Sequence, residues 1–544
     1  VLRLVLLVLV ALALAGCGGG SPADGGADAG VPDAGRDAFV PIDAGPERVR
    51  ALDLLWATRI ESTETLAATT DARLAPTPGD GFALSFSIGG APAVLAPGTS
   101  GERTVGDAAM NRATQGLAWF DGDGTLVDAR AAVVADPVLD GFLASGTGLG
   151  AFPDGSLVVS GRFLAGARFG GDDPAAVTFA TVRQMPARDV VVTSEEGFLA
   201  RFDATRRIAW ARRARSETGF ANHGLADVAT LADRGVLVLG TYDEAVILGE
   251  GEPTETRLTL STGAEQEVFL ARYDADGALV WARSVRGQAS PGRVLALDDG
   301  GSLVTLRHGA DVTLGPGEEG ETIVPGPPSG VLEGDVIARY DADGRLVWAR
   351  RIQADATTYP GWRALRVEGD AIVLAGTFRG RVEWPDAPEV MPFEVYGIEG
   401  LVARLALADG ALVWQRRVRP INSLQVQAMA PALDGQTWVA VSVSTHGATF
   451  APEGGEALTL ENSTASTRAV LLRYDLDGVL RAAHLLASDD VDVDDLLALP
   501  AGALVVVGRY GDGTVLEPDT ESEVVLPAAR AFRNIFVARY APRP

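Results

Sequence analysis

Four histidines, one cysteine and no lysine are what these 544 residues offer to metal, redox or nucleophilic chemistry. The missing lysine excludes Schiff-base catalysis and phosphate loops of the Walker type. A single cysteine excludes an intramolecular disulfide. The histidines, His223, His308, His446 and His484, are too dispersed to supply the converging ligands that a zinc site needs. They are expected in solvent-exposed turns.

The carboxylates are abundant and mostly read as turn chemistry. Asp121/Asp123, Asp274/Asp276, Asp341/Asp343 and Asp475/Asp477 each stand as D-x-D-G. Calcium loops use three or more oxygen side chains, so these are one short. A denser cluster, Asp489, Asp490, Asp492, Asp494 and Asp495, falls in what reads as an acidic loop. Carboxylates so close repel one another unless a cation or an arginine intervenes, which makes this the candidate calcium site. No other cofactor is expected. Repeated arginines such as Arg272 and Arg339 could form an anion-binding ring. The plainer expectation is that their heads pair with carboxylates of adjacent repeats.

The charge is 46 basic minus 72 acidic residues, or −26, which argues against a nucleic-acid partner. The chain opens VLRLVLLVLVALALAGCGGG. An apolar run of this length is short for a membrane span. Leu14-Ala15-Gly16-Cys17 resembles the bacterial lipobox, in which the signal is cut before a cysteine that is then lipidated. That resemblance implies a signal peptide over 1–16, a lipid on Cys17 and a membrane partner. Gly18 after the cysteine implies passage to the outer membrane, with the folded part outside the cytoplasm. Residues 17–48, dominated by Gly, Ala, Asp and Pro, are expected to be a disordered tether.

The elements that follow are legible from a repeat. ARYDADGALVWAR (271–283) and ARYDADGRLVWAR (338–350) differ at one letter. Related phrases occur at 116–130, 197–212, 400–416 and 469–484, with a truncated one at 535–544. Their arginines, Arg201, Arg272, Arg339, Arg404, Arg473 and Arg539, are spaced by 71, 67, 65, 69 and 66 residues. Each unit reads as four short strands with Asp-Gly turns, and a four-stranded unit at this period means a propeller. The last unit lacks its fourth strand, and Leu54–Arg59 (LLWATR) reads as that strand. The expected fold is all-β: a seven-bladed β-propeller of four-stranded blades over 49–544, with strand 54–59 completing the C-terminal blade and removing an open edge.

The pattern F-[LV]-A-[RK]-[YFL]-D-x-x-G-x-x-x-W-[AS]-R resembles the bacterial seven-bladed propeller repeats called SBBP-like, over roughly residues 50–544. The resemblance implies a fold and an extracytoplasmic setting, with no catalytic residues to carry over. Ala271–Trp281 also resembles the tryptophan-docking motif of quinoprotein propellers, although Asp276 stands where that motif has threonine. The expected role is a non-enzymatic binding or scaffolding module of the cell envelope, with a protein or glycan partner. Recognition is placed on the second-to-third-strand connections, which read as long and unlike one another, with Tyr359, Trp362 and Tyr396 as rim contacts. The rival is a surface enzyme, a polysaccharide hydrolase or lyase, with its site in the propeller funnel.

Overall fold

The computed structural model describes residues 52–542, apart from 63–68, 89–91, 107–113, 136–143, 165–166, 172, 180–184, 188–189, 193–194, 218–221, 328–333, 355–360, 385–392, 419–423, 445–447, 455–456, 461–466, 519 and 528–533. Residues 49–544 form a compact unit of their own. The unit is a seven-bladed β-propeller of four-stranded blades, here numbered 1 to 7 with strands a to d running outward.

Blade 3 shows why the repeated phrase folds as it does. Its strands are Gly224–Thr230, Val236–Tyr242, Glu267–Tyr273 and Leu279–Val285, all antiparallel. Strands b and c are buried along nearly their whole length, because a blade is covered on both faces by its neighbours. That is why they read as continuous Val/Leu/Phe runs instead of alternating. In the c–d turn, Asp274 Oδ1 accepts the N–H groups of Asp276 (2.9 Å) and Ala278 (2.8 Å). Gly277 takes φ +80°, the left-handed region a Cβ disfavours. Asp121, Asp341 and Asp475 build the same turn in their blades.

Blades dock through the tryptophan of strand d. Trp281 Nε1 donates to the Ala342 carbonyl in the c–d turn of the next blade (3.0 Å). Trp210, Trp348 and Trp414 donate to Ala275, Leu407 and Leu476 in the same way. The indole lies over the glycine of that turn: a Cβ on Gly344 would sit 2.8 Å from the Trp281 ring. The core therefore lies between blades. One apolar cluster joins Leu237, Leu239 and Leu270 of blade 3 to Val304, Val336 and Ala338 of blade 4.

The ring closes as the sequence predicts. Leu52–Ser62 is strand d of blade 7 and pairs with Asn534–Pro542, from Leu52↔Pro542 to Ile60↔Ile535. Trp56 packs over Gly124 of blade 1, as the internal tryptophans do over their glycines.

The b–c connections correct the sequence reading. Where described, those of six blades are tied to the preceding blade, while the hairpin of blade 6, Ala448–Phe450 with Leu458–Leu460, is a two-stranded sheet of its own. Val246–Leu248 and Thr256–Leu258 form a hairpin that extends strand d of the preceding blade through Arg215↔Ile247. Blades 1, 2 and 7 do the same through Ile60↔Leu95, Ala135↔Ala167 and Ala487↔Leu516. Blade 4 does so through the Arg286↔Thr313 bridge. In blade 5 strands b and c simply run on, to Glu383 and from Phe393, and Ala354↔Val382 makes the link. These segments fasten blade to blade.

Candidate functional site

The innermost strands are Thr69–Thr77, Ala144–Ala151, Gly224–Thr230, Ala289–Ala296, Trp362–Glu368, Leu424–Pro431 and Val491–Ala498. Each packs beside the next and the seventh packs beside the first, so they ring a central channel. Every one of them carries a β-bulge in its pairing with strand b. A bulge inserts a residue, bends the strand and re-aims side chains, and such devices are common beside functional sites. Here they place at the channel residues that differ from blade to blade: Arg73 directly after its bulge, Arg293 and Arg363 within theirs, then Gln427 and Asp494.

Arginines dominate. Arg73 Nη1 donates to the Asp494 carbonyl across the blade 7–blade 1 junction (3.0 Å), and its Nε has no hydrogen-bond partner. Arg293 Nε donates to the Arg363 carbonyl (3.2 Å), while its Nη1 lies 3.7 Å from Asp227. Arg509 Nε donates to Asp494 Oδ1 (2.9 Å). The Arg363 side chain is exposed, on one of the strands that ring the channel. Neither Arg73 nor Arg363 has a carboxylate partner within ion-pair distance among the described residues.

The charges feel one another across the axis. The Arg73 guanidinium, followed by burial, pulls the Arg293 pKa below its ordinary value. Arg73 belongs to blade 1 and Arg293 to blade 4, which are not neighbours in a ring of seven, so the two meet through the channel. Burial, then Arg307, Arg73 and Arg509, lower Arg363 in the same direction. Burial raises Asp227, with Arg293 and Arg73 opposing it. Asp227 Oδ2 also accepts the Val294 N–H of the next blade (3.0 Å), as Asp495 Oδ2 accepts that of Leu74 (2.9 Å).

The sequence-predicted sites fare differently. Asp489 and Asp490 lie in the d–a turn at φ +62° and +52°. Asp492, Asp494 and Asp495 do not belong to a loop: they stand on strand a of blade 7, as the V-D-V-D alternation should have indicated. Their carboxylates diverge, to Ser442, Arg509 and the Leu74 N–H respectively. Among the described residues no group of three or more potential ligands converges on a metal position. Trp362 is in the core, 6% exposed, with ring centroids 4.9 Å from Phe378 and 6.1 Å from Trp384, and is not presented on a rim. Tyr359, the side chain of Tyr396, His446 and Cys17 lie outside the described residues.

The described histidines are not exposed turn residues either. His223 and His308 are buried, and the His308 Nδ1 bonds the Ala310 carbonyl (2.9 Å). His484 is buried against Glu517 (2.6 Å). The repeated strand arginines are structural. Arg272 pairs with Asp233 of its own blade (2.5 Å) and donates to Ala342 O of the next (2.9 Å), and Arg339 repeats this with Asp299 and Leu407. The carboxylate comes from the same blade and the carbonyl from the adjacent one.

No family model matches the sequence, and no curated protein matches it. Solved structures of low identity align along most of the chain. A protein of unknown function from Dyadobacter fermentans is 9% identical, covering 91% of this chain and 100% of its own, at a TM-score of 0.38. The quinohemoprotein alcohol dehydrogenase of Comamonas testosteroni is 9% identical over 91% of this chain and 78% of its own, at 0.36. The NanB sialidase of Streptococcus pneumoniae is 8% identical over 90% and 70%, at 0.34.

Proposed function

We propose that the folded region is a non-enzymatic recognition or scaffolding module of the cell envelope, held at the membrane through a lipidated Cys17, and that its ligand enters the central channel. One observation supports this most. Unrepeated side chains, Arg73, Arg293, Arg363, Gln427 and Asp494, stand at the bulged inner strands, whereas the described b–c hairpins of most blades are tied to the preceding blade. A rigid ring with variable side chains aimed at one axis is built for recognition.

The test heats residues 49–544 with divalent cations, chelator, glycans and pyrroloquinoline quinone. A ligand of the folded state raises the melting temperature by mass action. Gln427→Trp, which fills the channel, should abolish the shift given by a channel ligand. A shift that survives in that variant would place the site elsewhere. For the anchor, Cys17→Ala should move the protein from the membrane fraction to the soluble one, and unchanged membrane retention would refute lipidation.

A second reading rests on Asp227. A carboxyl pushed toward its protonated form by burial at the channel is the acid that glycan cleavage requires. Release of reducing ends from a polysaccharide, lost in Asp227→Asn with the fold intact, would favour a surface enzyme.

A further inference from the structure

We propose that the channel selects a small ligand bearing an oxoanion, carboxylate or phosphate, held by the guanidiniums of Arg73 and Arg363 with Arg293 beside them. This deepens the reading of the channel as the recognition site and rests on it. Three observations carry the inference.

First, the placement is specific. Arg73 follows its strand's bulge directly and Arg293 and Arg363 lie in theirs, on the strands closest to the axis. Nothing in the repeat demands a cation there, since blades 2 and 3 carry Gly148 and Asp227 at the register position of Arg73, and Thr147 and Ala226 at that of Arg363.

Second, the hydrogen-bonding capacity is left open. The channel carboxylates are already committed: Asp494 to Arg509, Asp495 to the Leu74 N–H, Asp227 to the Val294 N–H. Arg73 has a buried, unpartnered Nε and spends Nη1 on the Ala72 and Asp494 carbonyls, which leaves Nη2 as its open donor, and Arg363 makes no side-chain hydrogen bond among the described residues. A guanidinium offers a planar fork of donors that matches a carboxylate or phosphate edge with two parallel bonds.

Third, the charge runs against the rest of the molecule. A chain of net charge −26 repels anions in general. It nonetheless gathers guanidiniums from blades 1, 4 and 5 close enough that Arg73 lowers the proton affinity of Arg293 and, after burial and Arg307, that of Arg363, with Asp227 and Asp495 opposing at Arg293. Like charges crowded at low dielectric cost stability unless an opposite charge intervenes. An anion on the axis would relieve that repulsion, and its binding should weaken as salt is raised.

The experiment titrates residues 49–544 with inorganic phosphate and, separately, with citrate, at fixed ionic strength. Calorimetry is read alongside the arginine Nε–Hε resonances of ¹⁵N-labelled protein. Saturable binding that shifts the Arg73 and Arg363 resonances is expected. Arg363→Ala, a change at an exposed side chain, should weaken binding about tenfold or more. Arg363→Lys keeps the charge but not the fork and should fall between. Arg73→Gln is the second variant should the first disturb the fold. Which anion binds more tightly separates the phosphate from the carboxylate source. Binding undiminished in Arg363→Ala and Arg73→Gln, or no binding of either anion, overturns the inference. In the latter case a neutral glycan whose binding is lost in Gln427→Trp would leave the channel reading intact and sink only the anion. A ligand indifferent to Gln427→Trp would sink both.

Discussion

Asp128 lies 3.7 Å from Arg206, across the junction between blades 1 and 2. Asp128 stands where other blades carry the docking tryptophan, and Arg206 stands where their neighbours carry the turn glycine. The exchange goes further. Trp119 occupies the strand-c position held elsewhere by arginine, and Arg130 and Arg206 both stack on its ring at 5.6 and 5.7 Å. The aromatic has moved from strand d to strand c, and Arg130, at the place Arg283 holds in blade 3, still stacks on it, so the junction stays filled. Arg206 accepts φ +68° in place of glycine, a strain that the ion pair and the stacking offset.

That complementarity can be tested by restoring the repeat. Asp128→Trp alone should destabilise the fold by about 1–3 kcal/mol, because the new indole meets the Arg206 side chain. Asp128→Trp combined with Arg206→Gly should recover most of the loss. Urea denaturation of the three proteins decides it. If the double variant were no better than the single one, the two positions would not form a docking pair.

Ring closure predicts a pattern of protection. Leu52–Ile60 is hydrogen-bonded to Ile535–Pro542 as the outer strand of blade 7, although it stands at the opposite end of the folded sequence. Amides of the two strands should exchange at comparable rates, near those of global unfolding. Exchange over Trp56–Ile60 that is much faster than over Ile535–Tyr540 would mean that the closing strand detaches locally, leaving an open edge.

Much of this fold was legible, and the reason is physical. Each c–d hairpin must present Asp, Gly and Trp at fixed positions to dock on the next blade, so the phrase recurs nearly letter for letter. The b–c hairpins also recur, but as strands of two or three residues in which only inward apolar residues are fixed, among them Leu95, Phe169, Leu248, Leu314, Phe450 and Leu516, all buried. So short a pattern reads as irregular loop. The channel residues were missed for the opposite reason. Arg363 is the extra, unpaired residue of a bulge, exposed between the buried Trp362 and Ala364, and no repeat of residue type marks such a position in the sequence. Attention to what repeats pointed to Arg272 and Arg339, which are structural, and away from the unrepeated Arg73, Arg293 and Arg363.

Glu196 gives the fold a pH dependence of known sign. It is fully buried, accepts the Ser216 N–H at 3.0 Å, and has Arg213 only at 3.7 Å. Burial raises its pKa above the ordinary 4.5, against the opposing Ser216 and Arg213 interactions. An acid raised in the folded state holds its proton more tightly there. Its burden is therefore absent below pH about 4.5 and grows as pH climbs through the window above, up to the folded value. Glu196→Gln keeps the acceptor and removes the charge. Its stability relative to the parent should rise with pH across that window, as measured by urea unfolding at several pH values. A difference independent of pH would mean that Glu196 ionises in the fold at no cost.

The b–c hairpins should prove to be clamps, and Glu252 is the residue that tests this. The hairpin that carries it is paired with strand d of blade 2, yet Glu252 Oε2 accepts the N–H of Leu279 in strand d of blade 3 (2.7 Å), and Arg212 of blade 2 lies 3.4 Å away. Glu318 and Asp173 make the corresponding bonds to Leu346 and Ile208. One carboxylate thus ties two blades at the point where strand d begins. Glu252→Ala leaves a buried N–H without its acceptor and should cost about 1–3 kcal/mol, whereas Glu252→Gln, which can still accept, should cost less. The Leu279 amide should lose exchange protection in the alanine variant first. Equal and negligible effects of both substitutions would show that strand pairing alone holds the hairpin, and that the recurring carboxylate is incidental to the ring.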